Sequence, residues 1–279
     1  MAANVLRSWL DGSRERVLWI EFDDYARRVF AGNPADWLKQ ATRCANTLGQ
    51  ARSVIKSEVL SIDALAPVRA LLAAGGDGDA VERVRAALGD PGARAFTTEV
   101  LDALAHKFAQ ELDLVLKLTS PRDLLAACGV PEPGFDELDD VTMALSDLVR
   151  SFAEKPIAGL LLERAADEPV GTDEADAYAT LVGSAQHYRW VSVIAQTASQ
   201  PATGAIDGLD VDLLLYPELE AAALATLADS GLRCGGGLPG AYWTAASAQA
   251  APARGVLYGA VPETAQPELV LERVKALLV

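Results

Sequence analysis

Eight short runs rich in apolar and β-branched residues alternate along this chain with longer stretches of helical periodicity, and this alternation limits its folds more than any other feature. The runs are RVLWIEF (16–22), RSVIKSEV (52–59), LDLVLKL (112–118), PIAGLLLE (156–163), RWVSVIAQ (189–196), VDLLLYP (211–217), GLRCGG (231–236) and RGVLYGA (254–260). Between them, segments such as NPADWLKQATRCANTLG, TEVLDALAHKFAQEL, FDELDDVTMALSDLVRSFAE and PELEAAALATLADSG repeat apolar residues at helical spacing behind Asn, Thr, Asp or Pro. Strands that are apolar along their whole length are buried on both faces, as in a parallel sheet covered by helices. Eight such βα units predict an α/β fold, a closed (β/α)8 TIM barrel rather than an open doubly wound sheet. The long interval from about 60 to 111 holds IDALAPVRALLAAGG and DAVERVRAALG and predicts a helical insertion between strands two and three. The 279 residues are expected to form one barrel domain, 1–279.

Composition removes several classes of function. A formal charge of −15 argues against a nucleic-acid surface, which needs concentrated Lys and Arg. The N-terminal segment has no continuous apolar stretch of the secretory kind, and no run approaches the roughly 20 apolar residues that cross a bilayer. A cytoplasmic protein with no membrane partner is the expectation. Cys44, Cys128 and Cys234 are odd in number and form no CxxC pair, which predicts free thiols rather than a disulfide framework or a structural zinc site.

In a TIM barrel the chemistry sits at the C-terminal ends of the strands. This rule turns the strand positions into candidates: Glu21, Asp23 and Asp24; Lys56, Ser57 and Glu58; Lys117, Thr119 and Ser120; Glu163 and Arg164; Gln196 and Thr197; Tyr216 and Glu218; Gly235 to Gly237; and Tyr258. His106 and His187 fall away from these ends, so a histidine-based triad or metal site is not expected.

The order and spacing of several segments resemble the uroporphyrinogen decarboxylase superfamily, which also includes the cobalamin-independent methionine synthase barrel and corrinoid-dependent methyltransferases. GVLYGAVPETAQPELVLERVKALL (255–278) is similar to the family's last strand, polar turn and closing helix. LRCGGGLPGAYWTA resembles its strand and Gly-Asn-Leu-Asp-Pro turn, NPADWLKQATRCANTLGQARSVIKSEVLSI (33–62) its helix and strand ending in Ser-Asp, and LDLVLKLTSPRDLLAACG (112–129) its strand and helix start. GLLLERA (159–165) takes the place of a strand ending in an acidic residue. There are departures. IEFDDYARR replaces the Arg-rich motif that holds porphyrinogen carboxylates, YGA replaces the Gly-His-Gly turn, and Gln196 and Ala198 replace the His and Cys of the zinc methyltransferases.

The resemblance implies a decarboxylase-like lyase, free of cofactor and metal, acting on a small acidic metabolite other than uroporphyrinogen. Glu58, Glu21 and Lys117 are the catalytic candidates. Asp23, Lys56, Arg122, Glu163, Gln196, Tyr216, Gly236, Gly237 and Tyr258 are expected to bind substrate. Glu58 and Lys117 are expected to share a cavity bounded by the Gly235 to Gly237 turn, whose glycines would let a ligand approach the backbone. A corrinoid- or folate-linked methyltransferase without the usual zinc site, or a non-catalytic ligand-binding barrel, remains the alternative. A homodimer is compatible with each.

Overall fold

The computed structural model describes residues 4–76, 78–108, 111–198, 200–246 and 250–278. Its eight strands are β1 (Arg16–Glu21), β2 (Val59–Asp63), β3 (Asp113–Thr119), β4 (Gly159–Arg164), β5 (Val191–Gln196), β6 (Leu213–Tyr216), β7 (Cys234–Gly237) and β8 (Gly255–Ala260). All pair in parallel in the order β1-β8-β7-β6-β5-β4-β3-β2, with Glu21 opposite Ala260 at one junction and Asp63 opposite Lys117 at another. This is the TIM barrel expected from the alternation of runs.

Twelve helices are described: α1 (Val5–Leu10), α2 (Asp23–Val29), α3 (Ala41–Ile55), α4 (Ala66–Ala73), α5 (Ala80–Leu88), α6 (Pro91–Phe108), α7 (Pro121–Ala127), α8 (Phe135–Arg150), α9 (Thr172–His187), α10 (Ala221–Asp229), α11 (Gly240–Thr244) and α12 (Pro267–Leu277). The insertion between β2 and β3 is helical as expected, consisting of α4, α5 and α6. Asp79 caps α5 by accepting from the Glu82 amide, while Glu82 reaches back to the Asp79 amide, a reciprocal arrangement that satisfies two free donors at the helix start.

Strand two lies one segment later than the sequence suggests. Residues 52–55 finish α3, whose buried Cys44, Leu48, Ala51 and Ile55 follow helical spacing to its end. Lys56 closes the helix with a left-handed φ of 63°, and the strand is VLSID. The β-branched Val54 and Ile55 favour a strand by propensity, but their place at the end of an established apolar helical stripe decides against it.

The shift explains the barrel's one irregular junction. Between β1 and β2, the Glu58 amide donates to the Leu18 carbonyl at 2.8 Å. The next links use side chains: Leu18 N–H donates to Glu58 Oε2 at 2.9 Å, and Ile20 N–H donates to Ser57 Oγ at 2.9 Å. Unpaired strand amides are costly when buried, so Ser57 and Glu58 close the seam in place of a regular ladder.

The interior of the barrel is filled by Val17, Trp19, Val59, Val115, Leu161, Val193, Leu215, Val256 and Tyr258. Below them Val5 and Leu6 of α1 join the same cluster, and Leu6 N–H donates to Asp113 Oδ2 at 2.8 Å. The N-terminal end of the barrel is therefore packed, and the polar residues collect at the other end.

Candidate active site

Every second side chain of a strand faces the same way, so the strands that place Val17, Val59, Val115, Leu161 and Val256 in the interior also direct their later residues inward and upward. Those residues are Trp19 and Glu21 of β1, Ser61 and Asp63 of β2, Lys117 and Thr119 of β3, Glu163 of β4 and Tyr258 of β8. Lys117 lies at the centre. Its Nζ is 3.2 Å from Glu21 Oε2 and 3.7 Å from Glu163 Oε1. Glu21 Oε1 is fixed in turn, accepting from Trp19 Nε1 at 3.0 Å and from Ser61 Oγ. Trp19 Nε1 also donates to Ser61 Oγ at 2.9 Å. Next to this group the Arg69 guanidinium of α4 forms a two-point ion pair with Asp63 and donates to Thr119 Oγ1 at 3.0 Å.

Asp23 opens α2 directly after β1 and completes the set. Burial pushes its carboxyl up to about 8; Lys117 opposes this rise, while Glu21, Asp63 and Asp24 add to it. Burial and the Glu21 charge likewise raise Glu163, against the pull of Lys117. Asp63 goes the other way, because Lys117 and Arg69 outweigh its burial and hold it below the usual carboxylate range. Burial opposes the charge on Lys117, but Glu21, Glu163, Asp63 and Asp23 together hold its ammonium well above the ordinary lysine value. Lys117 is therefore a fixed cation at neutral pH rather than an amine nucleophile. Burial keeps the Tyr258 phenol protonated, with Glu21 and Glu163 acting in the same sense.

A cavity of about 700 Å³ opens onto this cluster. Asp23, Asp63, Arg69 and Lys117 form its polar end, and Leu48 of α3, Ile62 of β2, and Phe96 and Val100 of α6 supply apolar wall. The insertion thus has a definite role, since α4 and α6 build one side of the cavity.

Glu21, Asp23, Lys117, Glu163 and Tyr258 meet at this mouth, and the other expected site residues lie elsewhere. Glu58 is at the N-terminal end of the barrel, ion-paired with Arg14 and bound to the Leu18 amide, so it shares no cavity with Lys117. Lys56 is exposed at the end of α3. Both positions follow from the shift of strand two. Arg122 of α7 is 3.4 Å from Glu168 and 3.6 Å from Glu174, and belongs to a cluster around the buried Arg164–Glu174 pair. Gln196 Oε1 accepts from Arg164 at 3.3 Å in that cluster. Tyr216 is fully buried, with Oη at 3.2 Å from both the amide and the carbonyl of Gly204.

The three glycines of β7 meet protein rather than ligand. A Cβ on Gly235 would stand 2.6 Å from the Val256 carbonyl oxygen, and one on Gly236 would stand 2.2 Å from that of Tyr216. Gly236 and Gly237 also have φ of 149° and 81°, and Pro252 and Leu224 fill the space outside them. Close approach of the neighbouring chain is what excludes side chains here, so these residues do not form a wall of the cavity.

Trp19, Ser61, Asp63 and Arg69 were absent from the candidates drawn from sequence. The inward alternation Val59, Ser61, Asp63 is present in VLSID, but it becomes visible only once the strand is placed there. Among the described residues, no group of three or more His, Cys, Asp or Glu is arranged to hold a metal ion.

No protein-family model and no curated protein matches the sequence. In structure, the chain is similar over 97% of its length to the metallated form of the homocysteine methyltransferase MmuM from Escherichia coli, covering 99% of that chain at 16% identity with a TM-score of 0.55. It is also similar to a proposed phosphonomutase from Burkholderia cenocepacia J2315, with 17% identity, coverage of 99% and 96%, and a TM-score of 0.46. A GH20 catalytic module of the pneumococcal exo-beta-D-N-acetylglucosaminidase StrH matches at 13% identity over 95% of this chain and 81% of that one, with a TM-score of 0.46. The likeness to MmuM, at 16% identity, is a likeness of fold, and one barrel carries many chemistries.

Proposed function

We propose that this chain is an acid–base enzyme of the lyase type, in which Asp23 moves a proton to or from a small molecule held at the barrel mouth. The observation that carries this is the Asp23 carboxyl itself, raised to about 8 beside a fixed ammonium and at the wall of a cavity. A carboxylate with so high a pKa is a stronger base than an ordinary aspartate, and its pKa is close to working pH, where proton transfer is most efficient. In the forward step Asp23 takes a proton from a substrate carbon, the C–H electron pair remains on the substrate, and the leaving group departs with its own bonding pair. Lys117, its ammonium held by Glu21 and Glu163, offsets through its field the negative charge that develops on the substrate, without giving up either carboxylate partner.

One observation favours a second reading within the same class: free Asp23 is protonated at neutral pH, and so could deliver a proton to a carbon that has just lost carbon dioxide. Methyl transfer of the zinc-dependent kind does not fit the residues present. The position corresponding to the zinc methyltransferase ligands holds Gln196, whose oxygen is taken by Arg164, and Ala198, which has no donor atom. The Cys234 thiol is buried against the Leu224 carbonyl. These residues do not fit a thiolate-activating zinc.

The test is exchange of carbon-bound hydrogen for deuterium, followed by NMR over a panel of small metabolites in D2O. Asp23→Asn is expected to lower the rate on any substrate found by about 10²–10⁴-fold. The wild-type kcat/KM should rise through a pH near 8 if Asp23 acts as base, and fall through it if Asp23 acts as acid. Full activity in Asp23→Asn would refute both.

A further inference from the structure

We propose that the cavity takes a molecule with a cationic ammonium head and an apolar body of aromatic size, the head at Asp23 and the body against Leu48, Ile62, Phe96 and Val100. This deepens the reading of the mouth as the working site and rests on it. It also departs from the acidic metabolite that the sequence resemblance implies.

The charge arrangement decides the sign of the head. At the inner end, among the described residues, Glu21, Asp23, Asp63 and Glu163 gather around the cations Lys117 and Arg69. Both cations are already engaged. Arg69 is bound by Asp63 and Thr119, and Lys117 by Glu21 and Glu163. An anionic head would have to displace one of these carboxylates while meeting the others at short range. Asp23 is different, because among the described residues no hydrogen bond lowers its carboxyl. Of the remaining cations in the wall, Arg27 pairs with Asp24 and Glu263. Lys39, exposed on the short 3-10 turn Trp37–Lys39, also lines the cavity and makes no ion pair among the described residues, but it is not among the charges that act on Asp23.

The size and polarity of the space decide the body. A cavity of about 700 Å³ lies within the range of sites that enclose a small molecule. Leu48, Ile62 and Val100 are among the buried core residues and still line it. These three are already nearly out of water, so the gain of about 25 cal/mol per Å² from covering apolar wall comes from half-buried surface such as that of Phe96.

The proton balance supplies a signature. The groups acting on Asp23 are Glu21 from β1, Asp63 from β2, Lys117 from β3 and Asp24 on its own helix, and the Cys44 thiol of α3 also senses its charge. An added cation favours the Asp23 carboxylate, so at pH 7 the ammonium head enters as the carboxyl proton leaves.

Calorimetric titration of the full chain tests this, with phenethylamine, 3-phenylpropionate and 2-phenylethanol as probes, in buffers of different ionisation heat. Phenethylamine should bind about tenfold or more tightly than either of the others. At pH 7 it should release up to about one proton, and at pH 9 close to none. Asp23→Asn should abolish the proton release and weaken the amine about tenfold. Ala70→Trp, on the exposed face of α4 in the cavity wall, should weaken phenethylamine but not methylamine. The proposal fails if phenylpropionate binds as tightly as the amine, if no probe binds at millimolar concentration, or if Ala70→Trp has no effect. The two readings can fail separately. Amine binding with proton release but no carbon exchange on any substrate sinks the lyase assignment alone, and exchange confined to carboxylate-headed molecules sinks this inference alone.

Discussion

At the scale of the residue, Asp23 and Lys117 show how one buried cluster holds contributions of opposite sign near neutral pH, a cost at the carboxyl and a gain at the ammonium. A carboxyl raised from 3.8 to about 8 binds more protons in the folded chain than in the unfolded one between those values, so its contribution to stability falls as pH rises across that window. Lys117, raised in the folded state, contributes stability that is present below its ordinary value near 10.5 and lost as pH climbs through the higher folded one. Asp63, lowered, contributes above 3.8 and loses that contribution as pH falls through its folded value. Replacing Asp23 by Asn removes the first of these effects and keeps the shape of the side chain. Asp23→Asn is therefore expected to raise the melting temperature by a few degrees at pH 8 and leave it nearly unchanged at pH 4, as thermal denaturation across that range would report. A melting temperature that drops at pH 8 would mean the carboxylate is stabilised by contacts other than those described. A functional residue that weakens its own fold is a common trade between activity and stability.

At the scale of the element, seven strands were legible in the sequence and one was not, and the difference has a local cause. Runs such as LDLVLKL are bounded by polar turns and have no helical stripe leading into them, so burial on both faces is the simplest account of their pattern. RSVIKSEV continues the stripe of α3 for one more turn, and only the left-handed Lys56 ends it. The site inherited that error. Glu21, Asp23, Lys117, Glu163 and Tyr258 were accessible from strands placed correctly, whereas Asp63 and Ser61 were hidden and Glu58 was assigned to the wrong end. Arg69 was hidden for another reason, since a helical cation aimed at a strand end leaves no pattern in sequence. Glu58 has a structural task that can be measured. Glu58→Ala leaves the Leu18 amide without its acceptor and should cost about 1–3 kcal/mol in urea denaturation, with probe binding at the mouth unchanged. Lost binding with unaltered stability would restore Glu58 to the site.

At the scale of the whole molecule, the chain divides its ends by task. The N-terminal end of the barrel is packed by α1 and the interior cluster, and the opposite end carries the charged network and a cavity walled by the insertion. That division places no ligand traffic through the barrel axis. The seam between β1 and β2 adds one more property. It is the junction at which main-chain pairing is reduced to the bond from the Glu58 amide to the Leu18 carbonyl and side chains, Ser57 and Glu58 among them, carry the remaining links, so the amides of β1 facing it are held by side-chain acceptors rather than by a ladder. Hydrogen–deuterium exchange followed by mass spectrometry should find the amides of Leu18 and Ile20 exchanging faster than those of Leu116 and Leu162 in the fully laddered strands; equal protection would show the seam to be as tight as the rest. The two strands that flank this weak line carry Glu21 and Asp63, both of which act on the Asp23 carboxyl. Breathing of the seam would thus modulate the field at the proton-carrying carboxyl, joining the mechanics of the barrel wall to the acidity of its mouth.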